Sequence, residues 1–371
     1  MADKVPVFGK SITEYLTEEP CAESRQNAVP CDVTDAFRRA FADIVKGANT
    51  LLTVPAGDYI LNETLVLPNN LFLDVHPHAE IDFCGFESEE NAENIHIRGG
   101  IFRLPEHTPD RLAFSFSNAN HITLENAKLY FDADTAVGFC GGSDLRLENC
   151  SFYGLPGNAD EASTGILFGG LLEDVVLEGL YAHGCDRLME FTPHTVLKHF
   201  SANRLSGDDC LYFLYAENAV FERVVLHELS GCAHADAVYL ADCDLQKLEM
   251  RGLDLHNGFF VFEHNKIGNV RIERFRRRYD LDKNAATKAT LTIAGQACAI
   301  DADIVSLDSI LRTGKLCPHV KLNAARRSSP LIQPDTPFVY RFNAKLSADD
   351  TYIMPSGSFD SFHMRGTPDN P

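Results

Sequence analysis

The chain has 371 residues, 45% of them hydrophobic, a balance normal for a folded protein and inconsistent with a disordered one. Its 53 acidic against 33 basic residues give a formal net charge of −20, which disfavours nucleic acid and anionic membranes as partners and leaves any polyanionic ligand dependent on a local basic pocket. No run approaches the roughly 18 apolar residues of a membrane span, and the start Met-Ala-Asp-Lys-Val-Pro-Val-Phe lacks the basic-then-apolar pattern of a signal peptide, so the expected location is the cytoplasm. The 11 cysteines are odd in number and show no C-x2-C spacing. Cys140, Cys150, Cys185, Cys210, Cys232 and Cys243 fall beside predicted strands, where a reduced thiol serves as a small apolar filler.

Residues 1 to 31 have no clear periodicity and read as an N-terminal arm. From Asp32 the pattern becomes helical: Ala36, Phe37, Ala40, Phe41, Ile44 and Val45 fall at helical spacing, Asp32 or Thr34 supplies a cap, and Gly47 a stop. Such a helix is expected to cover the open edge of the first strands after it. Three apolar segments come next: Thr50-Leu-Leu-Thr-Val-Pro-Ala-Gly-Asp-Tyr-Ile-Leu, Thr64-Leu-Val-Leu-Pro-Asn-Asn-Leu-Phe-Leu-Asp-Val and Ala79-Glu-Ile-Asp-Phe. The helix, the Val-Pro-Ala-Gly-x-Tyr turn and the Asn-Asn-Leu-x-Leu strand together resemble the opening turns of the pectin-lyase-like right-handed parallel β-helices, over about residues 32 to 82. The resemblance implies the fold. It is silent about the reaction, since polysaccharide lyases, glycoside hydrolases, epimerases and phage tailspikes share such an opening.

Two series of strand-like segments then repeat together. One reads Asp134-Thr-Ala-Val-Gly-Phe, Thr164-Gly-Ile-Leu-Phe, Asp186-Arg-Leu-Met-Glu-Phe, Asp209-Cys-Leu-Tyr-Phe, Asp236-Ala-Val-Tyr-Leu and Asn257-Gly-Phe-Phe-Val-Phe, in steps of 30, 22, 23, 27 and 21 residues. The other runs Asn94-Ile-His-Ile, His121-Ile-Thr-Leu, Asp144-Leu-Arg-Leu, Asp174-Val-Val-Leu, Thr195-Val-Leu, Ala219-Val-Phe, Asp244-Leu-Gln-Lys-Leu and Asn269-Val-Arg-Ile. Two series sharing a period of about 25 mark a solenoid with one turn per repeat. The expected architecture is therefore all-β: one elongated right-handed parallel β-helix over residues 32–285 behind the capping helix, with Asn- and Gly-rich corners such as Gly141-Gly142. Successive turns lie about 4.8 Å apart, which would gather Asp186, Asp208, Asp209 and Asp236 on one face. Beyond Arg271 the arginines at 274, 276, 277 and 278 break the apolar pattern, and residues 286–371 read as closing coils or a cap.

Gly207-Asp208-Asp209-Cys210 matches the Gly-Asp-Asp-Cys motif of polygalacturonase-type glycoside hydrolases. Asp186, 22 residues before Asp208, stands where that family has an Asp one coil earlier, although Asn-Thr-Asp has become Gly-Cys-Asp. His234, 25 residues after Asp209, resembles the histidine of the family's Gly-His-Gly with both glycines replaced by Ala. The family's Arg-x-Lys is unmatched; Arg271-Ile-Glu273 is the nearest segment. The resemblance implies Asp208 as general acid, Asp186 and Asp209 as the carboxylates that position water, and His234 as the group that orients the acid. Inverting hydrolysis needs this division between a protonated acid and a carboxylate base, and crowded like charges keep one member protonated.

Arg187, Arg204, Tyr212, Asp236, His256 and Arg271 are candidate substrate contacts, and Tyr212, Tyr215 and Tyr239 either stack on a sugar or fill a groove wall. The expected substrate is an oligo- or polysaccharide of plant type or containing uronate, with no cofactor. Two alternatives use the same residues. In a calcium-dependent polysaccharide lyase, stacked aspartates hold the ion and Arg187 or Arg204 acts as base. In a non-catalytic carbohydrate-binding or structural β-helix, the aspartates cap turns.

Overall fold

The computed structural model describes residues 9–16, 30–48, 50–104, 112–132, 135–155, 163–233, 237–256, 260–263 and 265–278 with short strands beyond, and side-chain surroundings as far as residue 254 and at Asn265. The chain divides into two compact units, residues 1–186 and 187–371. Each is a stack of parallel strands, so the parallel β-helix expected from the repeat is the observed architecture.

The one α-helix among the described residues spans Thr34–Val45. Its start is held by Asp32, whose Oδ1 accepts the Thr34 N–H at 3.0 Å; that bond, the largest cause, holds the Asp32 carboxyl below its ordinary range. Thr34 is buried and bonds elsewhere, its hydroxyl accepting the Asn62 N–H at 2.9 Å. Gly47 ends the helix in the left-handed region at φ 71°, its N–H donating to Ile44 O at 2.8 Å. Ala36, Phe37, Ala40, Phe41 and Ile44 are buried as their spacing predicts, whereas Val45 is 75% exposed. Val45 follows Ile44 by about 100° of helix rotation and so falls outside the apolar stripe.

The buried stripe plugs the first turns with aromatic rings. Phe37 lies 5.6 Å from Phe41 and 6.0 Å from Phe86, between ring centroids, and Phe83, Phe86, Phe102 and Phe114 continue the cluster at 5.1 to 5.7 Å. Phe37 is fully buried, so Phe37→Ala is expected to cost about 3–5 kcal/mol, read as a lowered midpoint in denaturant unfolding.

In the first unit the long strands Glu93–Arg103, Leu112–Glu125, Thr135–Glu148 and Thr164–Glu178 stack in register. Ile97 lies over Leu124, Leu147 and Leu177 in turn, all buried, which gives the inward columns their apolar continuity. The residues heading the second sequence series are corners: Asn94, His121, Asp144 and Asp174 take φ of 58°, 56°, 51° and 55°. Asn, Asp and His tolerate this conformation better than other residues with a Cβ. The corners also bond along the column. His121 Nδ1 lies 2.8 Å from Asp144 Oδ2, and Arg146 Nε donates to Asp144 Oδ1 at 2.9 Å.

The His121 bond, first among the causes, holds the Asp144 carboxyl below its ordinary value of 3.8. A carboxyl depressed by folding contributes stability above its unfolded value and loses it as pH falls through the folded one. Wild type is therefore expected to melt above Asp144→Asn at neutral pH. The gap should narrow below pH 3.8 and close at lower pH, as paired thermal melts across that range would show.

The second unit has two kinds of strand. Short strands Arg187–Phe191, Tyr212–Glu217, Val238–Ala241, Phe260–Glu263 and Leu291–Ile293 lie parallel in sequence order. The long strands Val196–Cys210, Val220–Ala233, Asp244–His256 and Lys266–Arg278 do the same, continued by Ile300–Ile304, His319–Ala325, Val339–Lys345 and Phe362–Met364. The arginines keep register on one side and lose it on the other: Arg276, Arg277 and Arg278 lie opposite Asp254, Leu255 and His256, whereas toward Ile300–Ile304 the register shifts between Ile272 and Phe275, across Arg274. Ladder bonds are made by main-chain groups and tolerate charged side chains.

Cys150, Cys185, Cys210 and Cys243 are free and buried, Cys232 is free and half-buried, and Cys140 is free but exposed, contrary to the filler role expected of it. Burial pushes the Cys150 thiol up to about 12 and that of Cys243 to about 11. Cys31 differs in being disulfide-bonded, to a partner that is not among the described residues. No helix among the described residues is long and apolar enough to cross a membrane.

Candidate functional site

Strand Val196–Cys210 carries the Asp pair at a break in register. Ser206 and Gly207 lie opposite Ser230 and Gly231, but the next pair is Cys210 with Ala233. Two residues, Asp208 and Asp209, thus face the single residue Cys232, and the extra one forms a β-bulge. Asp209 takes φ 60°, and both carboxyl side chains turn to solvent while Cys210 returns to the core. The bulge closes down on Gly231 below it. At φ 123°, a Cβ on Gly231 would stand 1.8 Å from the Gly207 carbonyl oxygen.

Immediately after the bulge, strand Tyr212–Glu217 presents an aromatic group. Tyr215 stacks on Tyr239 at 5.1 Å and 15°, and Tyr212 meets Tyr215 edge-on at 5.2 Å. Tyr215 lies opposite Glu190 on one neighbouring strand and Tyr239 on the other. The Arg187 guanidinium lies 4.1 Å from the centre of the Tyr215 ring and is ion-paired to Glu190. Both faces of Tyr215 are therefore covered. Its hydroxyl donates to Glu217 Oε1 at 2.5 Å, and burial, the first cause, pushes the phenol above its ordinary value.

The other candidates are scattered. Asp186 belongs to the first unit, where its Oδ2 accepts the Ser163 N–H at 2.8 Å and hydroxyl at 3.3 Å while its own N–H donates to Ser163 Oγ at 2.9 Å. That reciprocal pair is what a turn-holding aspartate makes. Arg204 is exposed at a left-handed corner, φ 54°, with Glu228 and Gly252 at φ 54° and 72° in the next turns. His256 lies opposite Cys232, so its backbone shares the corner of the Asp pair two turns away, roughly 10 Å. Arg271 lies opposite Glu249 on the long strands, away from the short-strand face that carries Tyr212. Asp134, His234 and Asp236 lie outside the described residues. Among the described residues no three His, Cys, Asp or Glu side chains converge to hold a metal ion.

Glu190 and Glu217 belong to this face, yet no sequence motif marks them. Their signal is the register itself, since Glu190 is one turn from Tyr215. The bulge also has a sequence signal: Ser-Gly recurs at 206–207 and 230–231, with one residue more before the next buried position in the first copy.

No protein-family model matches the chain, and no curated relative is found. Among solved structures it is similar to the Streptococcus pneumoniae surface protein and adhesin PfbA, at 9% identity over 96% of this chain and 100% of that one, TM-score 0.44. It is similar to the catalytic unit of a thermostable GH87 alpha-1,3-glucanase from Streptomyces thermodiastaticus, at 13% identity over 97% of this chain and 70% of that one, TM-score 0.45. The A-module of the Azotobacter vinelandii mannuronan C-5 epimerase AlgE6 matches at 10% identity over 97% and 99%, TM-score 0.45. Likeness of this order adds nothing to the choice of reaction, which rests on the residues.

Gly231→Ala tests the bulge. It is expected to destabilise the protein by about 1–3 kcal/mol or more, because the clash is with backbone. Gly252→Ala should cost less, since a Cβ there meets nothing closer than 3.6 Å. Denaturant midpoints of the two variants give the comparison.

Proposed function

We propose that the protein is a glycoside hydrolase acting on an oligo- or polysaccharide, with Asp208 and Asp209 carrying the proton transfers. The observation that supports this most is the bulge. It exposes two adjacent carboxylates just ahead in the chain of the strand that carries Tyr212 and Tyr215, and bulges that re-aim side chains are over-represented next to active sites. In the reaction, Asp208 gives its proton to the glycosidic oxygen as the C–O bond breaks. Asp209 takes a proton from the water that attacks the anomeric carbon. His234 is assigned a positioning part. Arg187 argues for hydrolysis over lyase chemistry: it is engaged by its ion pair with Glu190 and its contact with Tyr215, not left open toward a substrate as a catalytic base must be.

Asp208→Asn and Asp209→Asn are each expected to lower turnover by about 10²-fold or more, the scale of general acid or base catalysis, without lowering the melting temperature. Turnover is followed as reducing ends released from an oligosaccharide panel. Intact turnover with a lowered melting point would instead make the pair a turn device.

A further inference from the structure

The charge of the tyrosine face bears on which sugar it accepts. On strands Arg187–Phe191, Tyr212–Glu217 and Val238–Ala241 the one cation in the sequence is Arg187. Its guanidinium is committed twice, to the Glu190 carboxylate and to the Tyr215 ring at 4.1 Å. Glu190 and Glu217 share these strands with it, so the three groups sum to +1 − 2 = −1 when ionised. A uronate brings its own carboxylate, which needs an available guanidinium or ammonium, best as a bidentate pair. Taking Arg187 for that purpose would strand Glu190 beside further negative charge. The formal charge of −20 on the whole chain opposes the approach of a polyuronate as well. An uncharged sugar meets none of these costs, because its hydroxyls donate to carboxylates.

We infer that the sugar unit bound against Asp208 and Asp209 is neutral and is held at its hydroxyls by carboxylates, not stacked on Tyr215. The geometry behind the second part is the covering of Tyr215 on both faces, by Arg187 on one and by Tyr239 at 5.1 Å on the other. This inference rests on the proposed carbohydrate site. Glu190 acts in it as a specificity residue, since it is the group that withdraws Arg187 from an incoming carboxylate.

The test is binding on a glycan array of neutral oligosaccharides (gluco-, galacto-, xylo- and arabino-types) beside oligogalacturonates, with wild type, Asp208→Asn and Glu190→Gln. Wild type and Asp208→Asn are expected to bind neutral members at least ten-fold more tightly than the oligogalacturonates. Glu190→Gln, which releases Arg187, is expected to shift that ratio toward the uronates by ten-fold or more. Equal or tighter binding of oligogalacturonate by wild type, or an unchanged ratio in Glu190→Gln, overturns the inference, while reducing-end release by wild type would still support hydrolysis. Neutral binding without turnover keeps the inference and removes the hydrolase. Binding of no glycan overturns both.

Discussion

A parallel strand satisfies its backbone groups only through the strands above and below it, so each turn of this protein depends on lying in register with the next at about 4.8 Å. That constraint fixes the rest. Inward positions must be apolar in every turn, as Ile97, Leu124, Leu147 and Leu177 are. Corners must turn tightly at the same place in every turn, as Asn94, His121, Asp144 and Asp174 do in the left-handed region. Where a polar side chain is buried it must complete the main chain: Asn265 accepts the Cys243 N–H at 2.7 Å and donates to Leu240 O at 2.8 Å.

The same constraint explains what is legible in the sequence. The inward columns are plain there, because an apolar residue at a steady period needs no three-dimensional knowledge to be seen. The corners are visible but easily misplaced, since Asn94 or Asp144 reads equally well as the first residue of a strand. Arg276, Arg277 and Arg278 read as an end to the pattern, although a backbone ladder runs beneath charged side chains as readily as beneath apolar ones. Val45 looks like part of the helix stripe because it is apolar, yet its rotation past Ile44 places it in solvent.

At the site, residue type is legible and register is not. Gly207-Asp208-Asp209-Cys210 stands out, but the bulge emerges only when its length is compared with Gly231-Cys232-Ala233 on the neighbouring strand. Glu190 and Tyr215 are 25 positions apart in sequence and become neighbours through the stacking of turns. The pairing of Arg187 with Glu190 follows from neither motif nor composition. Spacing groups Asp186 with the pair, and spacing cannot tell an aspartate that faces a ligand from one bonded to Ser163.

Repetition also separates scaffold from chemistry. The first unit has an arrangement much like the Arg187 group: the Arg103 guanidinium lies 4.2 Å from the Tyr130 ring centre, Tyr130 stacks on Tyr153 at 4.6 Å and 10°, and Arg103 pairs with Glu80 at 3.3 Å. No bulged carboxylate pair accompanies it among the described residues. An arginine-capped tyrosine stack is therefore a way of binding one turn to the next, since each ring finds its partner in the adjacent copy. The register break between Cys140 and Gly142 makes the complementary point. It turns out Leu171, 50% exposed, an apolar side chain with no proton to pass between a sugar and water. In-register side chains are held against the copies above and below them, so a group becomes available to a ligand chiefly where the repeat is interrupted. At Asp208 and Asp209 the interruption and the acid groups coincide.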